Sequence, residues 1–353
     1  MKIQILDSLQ DRDKWLIIFE RLNIKNDIFY DPEYLNLFLT DNAKANLFLV
    51  EENNNYWINC FIKKRILNYK SLDNKIFYDL ESPYGYSGPL SNVNKEEYLE
   101  KFQDVYFDWC ISNNILVEFV RFHPLLNNHV FFKNLDNVMF ERVNRYTDLT
   151  EFSGDINFFN PKVRNKIRKT EKLNLTIDDE LTETNFNDFK TNYLNFLKEI
   201  KADEFYKFND LFFNNLFLLV KKKGFLLTIK NKDNFLGSSI FIGNNNYLNY
   251  FLTVITKKKS FPGINNLILY NAYKIGKKKN YKYCNLGGSL SSKKDSLLEF
   301  KMSMSNKKSK FYIGYKVYNK KLYFNILDEY KTKYPTVYKK HKNKILCYNF
   351  INN

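Results

Sequence analysis

Tyr281-Lys282-Tyr283-Cys284-Asn285-Leu286-Gly287-Gly288, continued at Asp295-Ser296-Leu297-Leu298-Glu299-Phe300-Lys301, is the stretch whose reading decides the fold. A short aromatic and apolar strand empties into a pair of glycines and restarts as a basic helix. Working upstream, 216–220, 224–230, 236–242 and 247–254 read as successive strands of a central sheet. Residues 267–276 then read as the helix that leads back to a strand at 281–285, with further helices at 186–200 and 205–213. Strands alternating with helices in this order make α/β the expected fold class.

The turn Ser260-Phe261-Pro262-Gly263-Ile264-Asn265-Asn266 enters the 267–276 helix. Free amides at a helix start, together with the helix dipole, can hold a phosphate, and a glycine allows close approach. Gly263, Asn265 and Asn266 are therefore candidate donor-binding residues, against the equal claim of a generic turn. The segment is neither G-x-G-x-x-G nor a phosphate loop. Further upstream, Asn160-Pro161 reads as the cap and first position of a helix over 162–173. That helix sets Arg164, Arg168 and Lys172 on one face, either an anion clamp or a solubilising surface.

In the first half, Asp31-Pro32 should start a helix whose Tyr34, Leu37 and Phe38 share a face, and 47–50 with 56–62 should form a hairpin. Glu81-Ser82-Pro83-Tyr84-Gly85-Tyr86-Ser87-Gly88-Pro89-Leu90 is too rich in Gly and Pro to continue a strand. It should be a shaped loop after a strand at 75–80, with Tyr84 and Tyr86 lining a cleft or closing a tight connection. A helix at 98–113 and a strand at 115–122 follow. The strand carries Glu118, either a proton relay or a paired surface carboxylate, and ends at His123, either a base or a satisfied structural histidine.

The chain has 353 residues, more than one core usually serves, so two domains are expected: 1–153, 154–330 and a basic extension at 331–353. With 33 Phe, 26 Tyr and 44% hydrophobic residues, there is ample surface to bury, which excludes disorder. Lys and Arg number 55 against 39 Asp and Glu, a formal charge of +16 that favours anionic partners: tRNA, nucleotide-linked substrates, coenzyme A or an anionic membrane surface. Cys60, Cys110, Cys284 and Cys347 lack C-x-x-C spacing, so no metal site is expected and a reducing compartment fits. Cys284 reads as a buried strand cysteine rather than a nucleophile, because no base is paired with it. The absence of a leader-like segment or a spanning apolar run points to a cytoplasmic, membrane-peripheral protein.

The basic helix from Arg164 to Lys169, then Tyr193, Lys201, Ala202 and Tyr206, Pro262-Gly263, and Asn285-Leu286-Gly287-Gly288 occur in an order that resembles FemAB-like members of the GNAT acyltransferase superfamily. The Ser82-to-Pro89 loop resembles a motif in the first domain of uncharacterised members, so the likeness spans roughly residues 27 to 330. It implies two GNAT-like domains with mixed central sheets and acyl transfer onto an amine. Residues 260–266 lack the glutamine or arginine and two spaced glycines of the usual GNAT donor motif, and FemAB proteins can take an aminoacyl group from tRNA. Both acyl-CoA and aminoacyl-tRNA are therefore open as donors, with an amine-bearing envelope precursor as acceptor, such as a nucleotide-linked amino sugar or a peptidoglycan peptide. The expected catalytic residues are Glu118, His123 and Tyr84, and the expected substrate-binding residues Tyr86, Arg164, Arg168 and Lys301. A non-catalytic RNA- or glycan-binding protein on the same scaffold is the rival.

Overall fold

A computed structural model describes residues 1–202, 208–244, 246–256, 260–289 and 295–350. Its first elements are β1 (Lys2–Asp7), α1 (Arg12–Arg21) and α2 (Pro32–Leu35). As expected, Asp31 caps α2 by accepting from the Glu33 amide, and Pro32 holds its first position. Next comes the expected hairpin, β2 (Ala43–Glu52) with β3 (Asn55–Arg65), in register from Ala43↔Lys64 to Glu52↔Asn55. Asn53 and Asn54 turn it at φ of 51° and 66°, the left-handed region asparagine tolerates best after glycine. Then follow β4 (Tyr78–Glu81), β5 (Leu90–Ser91), α3 (Glu96–Ser112) and β6 (Ile115–Arg121). β4 and β6 pair in parallel, and α3 crosses between them, burying Phe102 and Tyr106 against Phe48, Trp57 and Phe61.

The second half of the chain supplies β7 (Asn137–Asp148), α4 (Pro161–Glu171), β8 (Thr176–Asp178), α5 (Glu183–Glu199) and α6 (Asp210–Lys223). After these come β9 (Gly224–Asn231), β10 (Asn234–Asn244), β11 (Tyr247–Ile255), α7 (Ile264–Lys278), β12 (Tyr283–Gly287) and α8 (Ser296–Met304). The strand order here is β7-β12-β11-β10-β9-β8, with β11 and β12 the parallel pair. β1-α1-α2-β2-β3-β4-α3-β6 and β8-α5-α6-β9-β10-β11-α7-β12 are the same plan twice, apart from the short β5, and both contain one parallel pair bridged by a helix. The strand expected at 216–220 is instead the last half of α6. Phe212, Phe213, Leu216, Leu219 and Val220 are buried at helical spacing, and Asn209 caps the helix by accepting from the Phe212 amide at 2.9 Å. A short apolar run does not by itself separate helix from strand. The helix expected at 205–213 begins, with Tyr206, outside the described residues.

The chain then forms β13 (Lys307–Val317), α9 (Lys320–Lys333) and α10 (Pro335–His341). Two compact units result: Met1–Glu141 with Phe311–Asn353, and Arg142–Lys310. Against the boundaries expected from sequence, residues 142–153 belong to the second unit and 311–330 to the first. Nor is the stretch after 330 a solvated extension. Tyr330, Val337, Leu346, Cys347 and Tyr348 are buried with Leu116 and Val117 of β6, an apolar set scattered among many lysines. Tyr348 donates its hydroxyl to Asp79 Oδ1 at 2.8 Å, and Asn349 Nδ2 reaches Oδ2 at 3.1 Å. All four cysteines are free and buried. No helix among the described residues is long and apolar enough to cross a membrane.

Burial pushes Asp79 up to about 7, and its two donors oppose the shift by favouring the charged form. Tyr348→Phe removes one donor from a buried carboxylate and should cost about 1–3 kcal/mol in chemical denaturation. The loss should be larger at pH 8, where Asp79 is ionised, than at pH 5.

Candidate functional site

In the second unit β11 and β12 pair over only three positions, Tyr247↔Tyr283, Leu248↔Cys284 and Asn249↔Asn285. β11 then runs on to Ile255 against β10, while β12 ends at Gly287. The sheet thus opens as a wedge at the carboxyl ends of its parallel pair, where open α/β sheets take ligands. At the closing point Asn285 Nδ2 donates to Asn249 Oδ1 at 3.0 Å, and Asn285 Oδ1 accepts from the Gly287 amide at 3.0 Å. Gly287 has φ of 71°, so glycine is the residue that makes this turn without strain.

The turn lies directly on β7. A Cβ at Gly288 would stand 2.6 Å from Asn144 Oδ1 and 2.8 Å from Arg142 Cδ. Two cations hold its carbonyls: Lys301 Nζ donates to Gly288 at 2.5 Å, and Arg142 Nη1 donates to Ser289. Asp295 caps α8 by accepting from the Leu298 amide at 2.8 Å and also takes the Ser289 hydroxyl. Lys301 is only 9% exposed. Burial lowers its pKa to about 8; Asp295 opposes the shift and the neighbouring Arg142 charge adds to it. Lys301 can therefore carry a charge at neutral pH and still exchange its proton close to it.

The other expected donor-side residues serve packing. A Cβ at Gly263 would fall 1.9 Å from Thr170 Oγ1 and 3.0 Å from the Lys166 carbonyl, so this glycine lets α4 lie against the start of α7. Asn265 Oδ1 accepts from the Tyr250 hydroxyl at 2.8 Å, and the buried Asn266 directs its amide to Met304 Sδ at 3.1 Å. The side chains of Asn265 and Asn266 are thus occupied within the unit. On α4, Arg164 is half-buried and Arg168 exposed, and neither forms an ion pair among the described residues.

In the first unit the 81–90 segment is the shaped loop expected. The Ser87 carbonyl accepts from the Tyr30 hydroxyl at 3.0 Å and from Asn128 Nδ2 at 2.8 Å. Gly85, at φ 101°, lies where a Cβ would be 2.4 Å from the Phe29 ring. Tyr34 donates to the Tyr84 carbonyl, and the Tyr84 side chain stays half-exposed. Tyr86 is instead packed among Phe29, His123 and Phe311, which corrects its substrate-binding role.

Glu118 is neither a surface carboxylate nor a cleft base. It is 1% exposed and accepts from Asn59 Nδ2 at 3.0 Å, Tyr106 at 2.8 Å and Tyr318 at 3.0 Å. Burial raises its pKa to about 7 against these three donors. His123 is equally sealed: Nε2 faces Asp27 Oδ2 at 3.0 Å, and Nδ1 accepts from the amides of Leu125 and Leu126 at 3.3 and 3.2 Å. Both ring nitrogens are committed, so the catalytic reading gives way to the structural one.

The residue missed from sequence is Arg142. The sequence offered only the two-residue spacing of Arg142 and Asn144, which puts both on one face of a strand; that Asn144 is buried there is seen in the fold alone. Among the described residues no group of three or more His, Cys, Asp or Glu could hold a metal ion.

No protein-family model and no curated protein matches the sequence. Solved structures do match. FemX has a TM-score of 0.67 at 11% identity, over 92% of this chain and 99% of that one. The fold is that of FemX. The C-terminal domain of a putative lysylphosphatidylglycerol synthetase from Agrobacterium fabrum follows at 0.56 and 12%, covering 92% and 97%. A tandem GNAT protein from the clavulanic acid biosynthesis pathway gives 0.50 and 6%, covering 90% and 99%. A mixed α/β fold with GNAT-like units is the fold class expected from the residues, and at these identities the likeness is one of fold.

Two substitutions separate packing from chemistry. Glu118 has a folded pKa above its unfolded value of about 4.5, so its contribution to stability is present at low pH and is lost as pH rises toward 7. Glu118→Gln should therefore gain in melting temperature relative to wild type between pH 5 and pH 8. Gly263→Ala should destabilise the protein by about 1–3 kcal/mol through overpacking, and Thr170→Ala in the same chain should recover part of that loss; a stability unchanged by Gly263→Ala would return the position to ligand contact.

Proposed function

We propose that the chain is an N-acyltransferase that moves an acyl group, from acyl-CoA, onto the amine of a nucleotide-linked amino sugar or another anionic cell-envelope precursor. The observation that carries this reading is Lys301, buried beside the glycine turn at the open end of β11 and β12 in a GNAT-type fold. When a neutral amine attacks the thioester carbonyl, the C–N bond forms and negative charge collects on the carbonyl oxygen; as that charge returns to the carbonyl the C–S bond breaks, and the thiolate leaves as the thiol with the proton the nitrogen gives up. A lysine ammonium in a dry setting stabilises that oxyanion far better than it would in water. The excess of basic residues suits anionic donors and acceptors.

The half-exposed Tyr84 and the arginines Arg164 and Arg168, which form no ion pair among the described residues, are assigned to substrate: Tyr84 to the acceptor, the two arginines to phosphate. The protein works at the cytoplasmic side, in peripheral contact with anionic lipid. A second donor, aminoacyl-tRNA, is favoured by one observation: Gly263, at the start of α7, is packed against Thr170 and the Lys166 carbonyl rather than open to a ligand. With that donor the leaving group is a ribose hydroxyl and the rest of the chemistry is unchanged.

Purified protein incubated separately with acyl-CoAs and with charged tRNAs, each with amine-bearing envelope precursors, should give a mass-shifted acceptor with one donor class. Salt-sensitive RNA binding without any product would favour a non-catalytic binding protein instead. Lys301→Met should lower kcat by about 100- to 1000-fold. In wild type kcat/KM should fall as pH rises through about 8, where Lys301 loses its proton. Lys301→Arg should shift that fall to higher pH, and a rate that climbs through pH 8 would make Lys301 a base instead.

A further inference from the structure

We propose that Arg142 is the positioning residue for Lys301, holding the Ser289 carbonyl so that the glycine turn presents the Gly288 carbonyl to the lysine ammonium. The inference deepens the transferase reading and rests on it for its link to catalysis. Its geometry stands by itself. Gly288 and Ser289 are consecutive, and their carbonyls are taken by two cations from different elements, Lys301 from α8 and Arg142 from β7.

The position of the turn is set by contact as well as by hydrogen bonds. The missing side chain of Gly288 leaves room for Asn144 Oδ1 and the Arg142 stem, so the turn packs directly against Arg142. The opposite end of Lys301 is set by α8, whose start is pinned when Asp295 accepts from the Leu298 amide and the Ser289 hydroxyl. Ser289 is thus tied on both sides, its hydroxyl to the start of α8 and its carbonyl to β7. Lys301 lies between these ties.

Two like charges in such proximity are costly, and their retention here has an electrostatic consequence. Among the described residues, the charges that act on Lys301 are Asp295 at the head of α8 and Arg142 on β7, and they act in opposite directions. Arg142 disfavours the ammonium and so adds to the lowering of its titration that burial causes. A positioning arginine that also supplies a repelling charge thus does two things that can be separated by substitution.

The experiment measures both. Full-length protein labelled with 13C on lysine is titrated by NMR, with the Lys301 resonance assigned by its loss in Lys301→Arg, for wild type, Arg142→Met and Arg142→Lys. Arg142→Met should move the Lys301 midpoint upward from about 8 and lower kcat by about tenfold or more with KM little changed. Arg142→Lys keeps the charge but not the guanidinium fork, so the midpoint should stay near that of wild type while kcat still falls. An unchanged midpoint in folded Arg142→Met, or full kcat in both variants, overturns the proposal. The titration needs no substrate: if wild type transfers nothing from any donor, the transferase reading fails, while the midpoints still decide whether Arg142 acts on Lys301.

Discussion

One buried amide pair, Asn249 with Asn285, marks where the sheet of the second unit stops being closed. On one side of it β11 and β12 share a register; on the other β11 continues against β10 while β12 turns off through Gly287. The Asn285 side chain spans both events, since its amide closes the strand pair and its oxygen holds the Gly287 amide. Everything placed around the turn depends on this parting: the carbonyls of Gly288 and Ser289, the cations that take them, and the start of α8. A buried polar pair is costly unless satisfied, and here the Asn285 amide is satisfied by Asn249 Oδ1 and the Asn285 oxygen by the Gly287 amide, at the point where the strand pair ends.

The polar groups buried in the first unit do different work. Glu118 and Asp79 are both carboxylates pushed up to about 7 by burial and held by hydroxyl and amide donors. Each donor set draws together segments distant in the chain, Asn59, Tyr106 and Tyr318 around Glu118, and Tyr348 and Asn349 around Asp79. They fix how the returning C-terminal segment lies on β4 and β6. His123 with Asp27 plays the same part behind the 81–90 loop. Such groups carry the residue types of catalysis and are spent on architecture.

Much of the second unit was legible in residue order. The strands at β9, β10 and β11, the helix α7 and the glycine turn each have a local signature, and Lys301 was singled out by its place after that turn. What misled was chemistry read without neighbours. Glu118 could be read as a proton relay and His123 as a base, each against a structural alternative, and the elements packed over them, α3 with Tyr106 and the Asp27 segment, leave neither open. Gly263 looked like a ligand-facing glycine because a turn before a helix is the usual phosphate site; Thr170, almost a hundred residues earlier, claims the space.

The sequence by itself determined most of the element types, 216–220 excepted, together with the glycine turns and helix caps, because these follow from backbone preference and from apolar spacing over short distances. Only the tertiary structure decided that residues 311–350 return to the first unit, that Arg142 stands beside Lys301, and which polar residues are sealed. Those outcomes depend on burial and on contacts between segments far apart in the chain. A lone residue's identity carries no record of the neighbour that will desolvate it, repel it or satisfy its hydrogen bonds.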